Sequence, residues 1–148
     1  MYTRILVAVD SSDTASKALG EAIRLAGALQ AKLCITHALD EGSLAQHALG
    51  IGTFIDADKV KKEMRAAAEK LLDAAVATAA AAGVTAERRL TESERKRPAE
   101  QIVDAATDWR ADLVVVGTHG RRGVERLLVG SVAENLTRMS TTSLLMVR

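Results

Sequence analysis

The sequence predicts an α/β fold, an open five-stranded parallel sheet with helices on both faces, and three observations predict it. Short apolar runs alternate with longer stretches of helical periodicity from one end of the chain to the other. The runs "ILVAVD" and "ADLVVVG" are almost continuously apolar, the mark of strands covered on both faces. No Gly-, Ser- or Pro-rich linker divides the 148 residues, a length that suits one domain spanning residues 1–148.

The elements follow in order. "ILVAVD" (Ile5 to Asp10) is the first strand. Ala15, Ala18, Leu19, Ala22, Ile23, Ala26 and Leu29 then fall at helical spacing, with Ser11, Ser12 and Asp13 ahead of them as N-cap candidates. "KLCITHAL" (Lys32 to Leu39) is the second strand, and the polar segment from Asp40 to about Asp56 is longer than a usual strand-to-helix link, hence functional or mobile. Its "GIGTFI" follows no strand directly and lacks the third glycine of a dinucleotide fingerprint. A second helix is expected from about Asp58 to Ala82, with Val60, Met64, Ala67, Leu71, Ala75 and Ala79 on one stripe and Gly83 as its stop. "VTAERRLTE" alternates as a half-exposed edge strand. Pro98, the chain's only proline, suits the first turn of a third helix that turns Ile102, Val103, Ala106 and Trp109 inward. "ADLVVVG" is the fourth strand, a helix follows Ser131, and "SLLMV" (Ser143 to Val147) is the last strand.

Composition excludes several classes of function. Charged residues make up 26% of the chain and nearly cancel at a formal +1, so no global field points to nucleic acid or to an anionic membrane. The single cysteine, Cys34, forms neither an internal disulfide nor a CxxC pair, which fits a reducing cytosol, and it reads as a buried small hydrophobe. Met1 leads directly into a strand pattern with no signal-peptide character, and "AAVATAAAAGV" is too short and too weakly apolar to span a bilayer, so a cytoplasmic location is expected. "ESERKRP" mixes signs ahead of a helix and reads as a solvated loop.

One stretch reads as a site. In "LVVVGTHGRRGVERLLVGSVAENL" an apolar strand runs into Gly117, Gly120 follows, and Gly130 with Ser131 opens a helix. Open parallel sheets bind ligands beyond the carboxyl ends of their strands where strand order reverses, and the loops after Asp10 and Gly117 lie at that end. If the first and fourth strands are neighbours, both loops line one crevice. A bare Gly117 would let a ligand approach, and Gly120 would turn tightly with φ > 0 and its N–H inward. Gly130 and Ser131 would offer amides and a hydroxyl at a helix start, an anion site by geometry and dipole. Arg121 and Arg122 could add charge, although with Arg126 they read more readily as a solvated face. Ser131 and Glu134 also match a capping box, and Asp10 could cap the turn that follows it. Glycines around a strand end are common punctuation; four positions at this spacing, three glycines and a serine, favour a phosphate cradle.

Gly117, Gly120, Gly130 and Ser131 reproduce G-x2-G-x9-G-[ST], and with "ILVAVDSSDTASKAL", "ITHALDEG" and the C-terminal half the whole chain resembles the ATP-binding branch of the universal stress protein family. The resemblance implies strand order 3-2-1-4-5, in the Rossmann-like manner of the adenine nucleotide alpha hydrolases. It places Asp10 beside the adenosine, the Ala38 backbone at the adenine edge, and Gly117, Gly120, Gly130, Ser131 and Val132 around ribose and phosphates. Ala8, Val9, Thr118, His119, Arg121, Arg122 and Gly123 complete the candidate nucleotide-binding set. ATP, with Mg2+ and no protein side chain assigned to the metal, is the implied cofactor. A homodimer through the last strand is the implied assembly, and an apolar edge strand there supports it independently. This chain carries Thr142 and Ser143 where family members often have an X-Pro pair.

The motifs of catalysis are missing. There is no G-x-S-x-G elbow, no H-E-x-x-H helix and no Gly-Lys-Ser/Thr of a Walker A loop, and "DSSDTAS" stands where a serine-glycine-glycine pyrophosphatase loop would be. The site therefore reads as built to hold a nucleotide more than to cleave it. Among the three histidines, His119 is the one placed for phosphate contact or proton transfer. A slow ATPase or nucleotidyl-transfer enzyme and a nucleotide-free, chaperone-like dimer are the rival readings.

Overall fold

The structure, a computed structural model, describes residues 1–43, 56–119 and 129–148. The elements alternate as β1 (Arg4–Ala8), α1 (Asp13–Leu29), β2 (Lys32–Ala38), α2 (Ala57–Ala81), β3 (Ala86–Thr91), α3 (Pro98–Trp109), β4 (Leu113–Gly117), α4 (Ser131–Met139) and β5 (Ser143–Val147). The five strands form one sheet in the order β3-β2-β1-β4-β5, and every pairing is parallel. Ile5 is in register with Leu33 on one side and Leu113 on the other, so β1 is the centre of the sheet.

Two cores follow from the period of two along the strands. Ile5, Val7, Ile35 and Val115 pack with Ala18, Ala22, Leu72 and Ala79 under α1 and α2. Leu6, Cys34, Val114 and Val116 pack with Ile102, Ala106, Trp109 and Leu136 under α3 and α4. That is why β1 and β4 read as unbroken apolar runs. Cys34 is fully buried, and burial pushes its thiol up to about 11, as a packing residue requires.

Helix ends match local chemistry. Ser12 caps α1 through its side chain, which accepts from Ala15 N at 3.2 Å. Pro98 opens α3, and Glu100 reaches back to the Arg97 N–H at 2.7 Å. Gly83, with φ +77°, ends the turn after α2, the left-handed conformation glycine adopts freely. The α2 stripe is rotated from the expected one: Ala68, Leu72, Ala75 and Ala79 are buried, while Ala67 is exposed and Leu71 half-buried. In an alanine-rich helix both registers are similarly apolar, and the contacts with the sheet decide between them.

The N-terminal ends of β1 and β4 are locked by polar contacts. Asp112 accepts from Thr3 N at 2.9 Å, Thr3 Oγ1 at 2.8 Å and Arg4 N at 2.9 Å. Burial pushes its pKa up, but those hydrogen bonds outweigh burial and hold the carboxyl below its ordinary range. A depressed folded-state pKa gives stability that is present above the unfolded pKa and lost as pH falls through the folded one. Asp112→Asn is therefore expected to cost about 1–2 kcal/mol at neutral pH. Urea titrations at a series of pH values should show that gap closing in acid.

On the opposite side of Arg4, its Nε donates to Trp109 O at 2.9 Å and its guanidinium lies 4.1 Å from the Trp109 ring centroid. Trp109 Nε1 donates to Glu87 on β3 at 3.1 Å, which ties α3 to the edge of the sheet.

Candidate functional site

β1 pairs with β2 on one side and with β4 on the other, so strand order reverses between β1 and β4. The crevice expected from the sequence lies beyond their carboxyl ends. β1 ends at Ala8, two residues before the expected Asp10. Val9 N still donates to Thr36 O at 2.9 Å, whereas Asp10 has turned away to accept from Ser12 N at 2.8 Å. That bond realises the turn-capping role for Asp10.

Two hydroxyls at the start of α1 reach the chain after β4. Ser12 Oγ donates to His119 O at 3.2 Å, and Thr14 Oγ1 donates to the same carbonyl while accepting from His119 N at 3.3 Å. On the far side, Thr118 N donates to Val147 O at 2.9 Å and Gly130 N donates to Thr118 O at 2.6 Å. The chain that follows β4 is thus pinned between α1, the end of β5 and the start of α4. Thr118 Oγ1 lies 2.9 Å from His119 Nδ1, and His119 Nε2 is buried with no hydrogen-bond partner among the described residues.

Gly117 has a packing reason beside the one expected. A Cβ there would stand 2.6 Å from Thr14 Oγ1, 2.7 Å from Thr14 C and 2.9 Å from Ala15 N. The bare α-carbon admits the first turn of α1 against the strand end.

Gly130, not Ser131, is the N-cap of α4, with φ −61° and ψ 156°. Ser131 is the first helical residue, and Glu134 bonds Arg138 at 2.7 Å, so the expected capping box does not form. Glu134 N donates to Gly130 O at 2.9 Å, which leaves the amides of Ser131, Val132 and Ala133 without an intrahelical carbonyl. Their partial positive charge lies at the end of β4, where an anion would be held.

Of the expected site residues, Asp10 lies at the turn into α1, whose hydroxyls bond His119, and Thr118 bonds Gly130 at the start of α4, next to Ser131 and Val132; Ala8 and Val9 are buried at the end of β1, and Ala38 ends the neighbouring β2. Gly120, Arg121, Arg122, Gly123 and Arg126 lie outside the described residues, as does most of the Asp40 to Asp56 segment. Thr14 and His37 were not singled out from the sequence. His37 is buried, and its Nδ1 donates to Val9 O at 2.7 Å, bracing the β1 end from β2. Its place one residue before the end of an inward-facing strand was the available signal. Among the described residues no group of three or more His, Cys, Asp or Glu could hold a metal ion, and no helix is long and apolar enough to cross a membrane.

An open parallel α/β sheet with a helix start beside its switch point defines the class of protein by its fold, and relatives refine it. The model of the universal stress protein family matches residues 1–148. The chain belongs to the universal stress protein family. It is similar to the universal stress protein YxiE of Bacillus subtilis (strain 168), 33% identical over 151 residues that cover 100% of each chain. Among solved structures, a universal stress protein in complex with cAMP is 31% identical with a TM-score of 0.72, covering 99% of this chain and 97% of that one. The universal stress protein from Archaeoglobus fulgidus in complex with dAMP is 26% identical with a TM-score of 0.70, covering 99% and 98%.

Proposed function

We propose that the crevice between β1 and β4 binds ATP, and that the protein works in stress response as a cytoplasmic, nucleotide-regulated homodimer. The observation that carries this reading is the Gly130 N to Thr118 O bond of 2.6 Å, which sets the first-turn amides of α4, left without an intrahelical carbonyl, against the end of β4. Phosphates take those amides, with Ser131 and Val132 closest to them. Asp10 and the Ala38 backbone take the adenosine, and Ala8, Val9, Gly117, Thr118 and His119 form the floor. Gly120, Arg121, Arg122 and Gly123 complete the cradle in the sequence motif. The cAMP and dAMP complexes of the two relatives support an adenine nucleotide as the ligand.

Mg2+ arrives with the nucleotide, held by phosphates and water, since the ion keeps much of its water shell and needs few protein carboxylates. The chain lacks the Gly-Lys-Ser/Thr of a Walker A loop, in keeping with a site that retains ATP rather than turning it over.

Dimerisation uses β5, which pairs with β4 alone and carries the exposed Met146, with Met139 exposed on the adjoining helix. Light scattering on the purified protein tests it, and a monomer at working concentration would remove the dimer from the proposal.

Calorimetric titration with ATP and Mg2+, after checking for copurified nucleotide, tests the site. One ATP per chain is expected, and ligand at a hundred times its Kd should stabilise the fold by about 2.7 kcal/mol. No heat, no copurified nucleotide and no shift in melting would leave the crevice without its proposed ligand.

A further inference from the structure

A buried amide on α3 holds the chain that leaves β2. The helix buries Ala99, Ile102, Ala105, Ala106 and Trp109, and with them the side chain of Gln101, which is 3% exposed. Gln101 Nε2 donates to Leu39 O at 2.9 Å and to Lys96 O at 3.0 Å, so one amide bridges the end of β2 and the start of α3. Those bonds fix the amide orientation, and Oε1 has no partner among the described residues. A buried acceptor without a donor costs stability, so this amide stands where it does for its two N–H groups.

What the amide steadies is the peptide next to Ala38. Leu39 N donates to Thr91 O at 2.9 Å, and Thr91 Oγ1 donates to His37 O at 3.3 Å, so the residues on both sides of Ala38 are tied to β3. Ala38 itself faces the other way. Alternate residues of an inner strand direct their backbone groups to opposite neighbours, and Thr36 O accepts from Val9 N at 2.9 Å on the β1 side. The next rung, Ala38 N to Val9 O, is not made among the described residues, because Val9 O accepts from His37 Nδ1 at 2.7 Å. Ala38 therefore presents an N–H and a C=O past the end of β1.

An N–H beside a C=O matches adenine, whose N1 acceptor adjoins the N6 amino donor. Guanine carries O6 and N1–H at those places, so each of its groups would meet the wrong partner. Such a pair discriminates only if it is held in place. We propose that Gln101 is a positioning residue for base selection: its grip on Leu39 O fixes the Ala38 backbone groups at the angle that accepts adenine and refuses guanine. This role rests on the crevice binding ATP.

Calorimetric titration of the whole protein with the Mg2+ complexes of ATP, GTP and inorganic triphosphate tests it. The parent protein is expected to favour ATP over GTP by roughly a hundredfold or more. Gln101→Met keeps the length of the side chain and removes both N–H donors. Its ATP affinity should fall roughly tenfold or more while its affinity for triphosphate stays within about twofold, and the ATP-to-GTP ratio should shrink with the first. Gln101→Asn, whose amide stops one methylene short of Leu39 O, should show the same change and serves if the methionine variant does not fold. A residue that only supported the fold would lower the melting temperature and leave the ratio alone. A parent protein that takes ATP and GTP alike, or a folded variant with the parent's ratio, would overturn the role of Gln101 while leaving the nucleotide site in place. Binding of none of the three ligands by the parent protein would instead remove the nucleotide site, and this role with it.

Discussion

Gly117→Ala is expected to destabilise the protein by about 1–3 kcal/mol, the range for forcing extra atoms into a packed interior, and Gly117→Val by more. Two of the three atoms that the new Cβ would meet, Thr14 C and Ala15 N, belong to the backbone, so no rotamer change makes room. The strand end or the first turn of α1 must move, and that turn holds His119 through Thr14 and Ser12. A urea titration should show a lower midpoint with an unchanged slope. Thr14→Ala in the same background removes only the contact at 2.6 Å, and the backbone contacts at 2.7 and 2.9 Å persist. Partial rescue is therefore expected, and complete rescue would mean that the clash is confined to a side chain. Because the displaced segment borders the proposed nucleotide site, ATP affinity should fall in Gly117→Ala and stay low in the double variant.

Trp109→Ala should cost about 3–5 kcal/mol, the usual range for deleting a buried aromatic side chain. The ring is 3% exposed, packs beneath α3, and lies under the Arg4 guanidinium. Its Nε1 bond to Glu87 is a separate contribution. Trp109→Phe keeps most of the apolar volume and loses that bond, so its cost should be smaller, about 1–2 kcal/mol. Trp109 is the only tryptophan, so unfolding of these variants is followed by circular dichroism. If the two substitutions cost the same, the polar link to β3 and not the ring would hold α3 in place.

The fold was legible in the sequence wherever burial is two-sided or complete. β1 and β4 announced themselves by unbroken apolar runs, and β3 by its alternation at an edge. Ends were read less well, because a strand end is decided by one hydrogen bond: Asp10 left β1 when its carboxylate found the Ser12 amide. The capping box at Ser131 and Glu134 failed for a related reason, since the helix begins one residue earlier than that motif needs and Gly130 takes the cap position. The glycine at 117 was found, but its packing against α1 was not. Close approach between a strand end and a helix that starts a hundred residues earlier in the chain leaves no local trace beyond the glycine itself. Thr14 and His37 carry the same lesson: Thr14 bonds His119 twice and His37 bonds Val9 once, each far away in the chain, and neither residue type is unusual where it stands.

The two borders of the sheet are chemically unlike, and this difference governs how copies of the chain can add to one another. β3 presents Glu87, Arg88 and Arg89 in succession, with Arg88 reaching Glu69 and Asp73 on α2, whereas β5 is Leu144, Leu145, Met146 and Val147. A strand of fixed charges resists lateral addition, and an apolar one invites it. Any two-fold contact through β5 would consume both inviting borders at once and leave a charged border at each outer end. Growth would stop at two copies, a closed point group in place of a fibre, with the limit on assembly written into residues far from the contact itself.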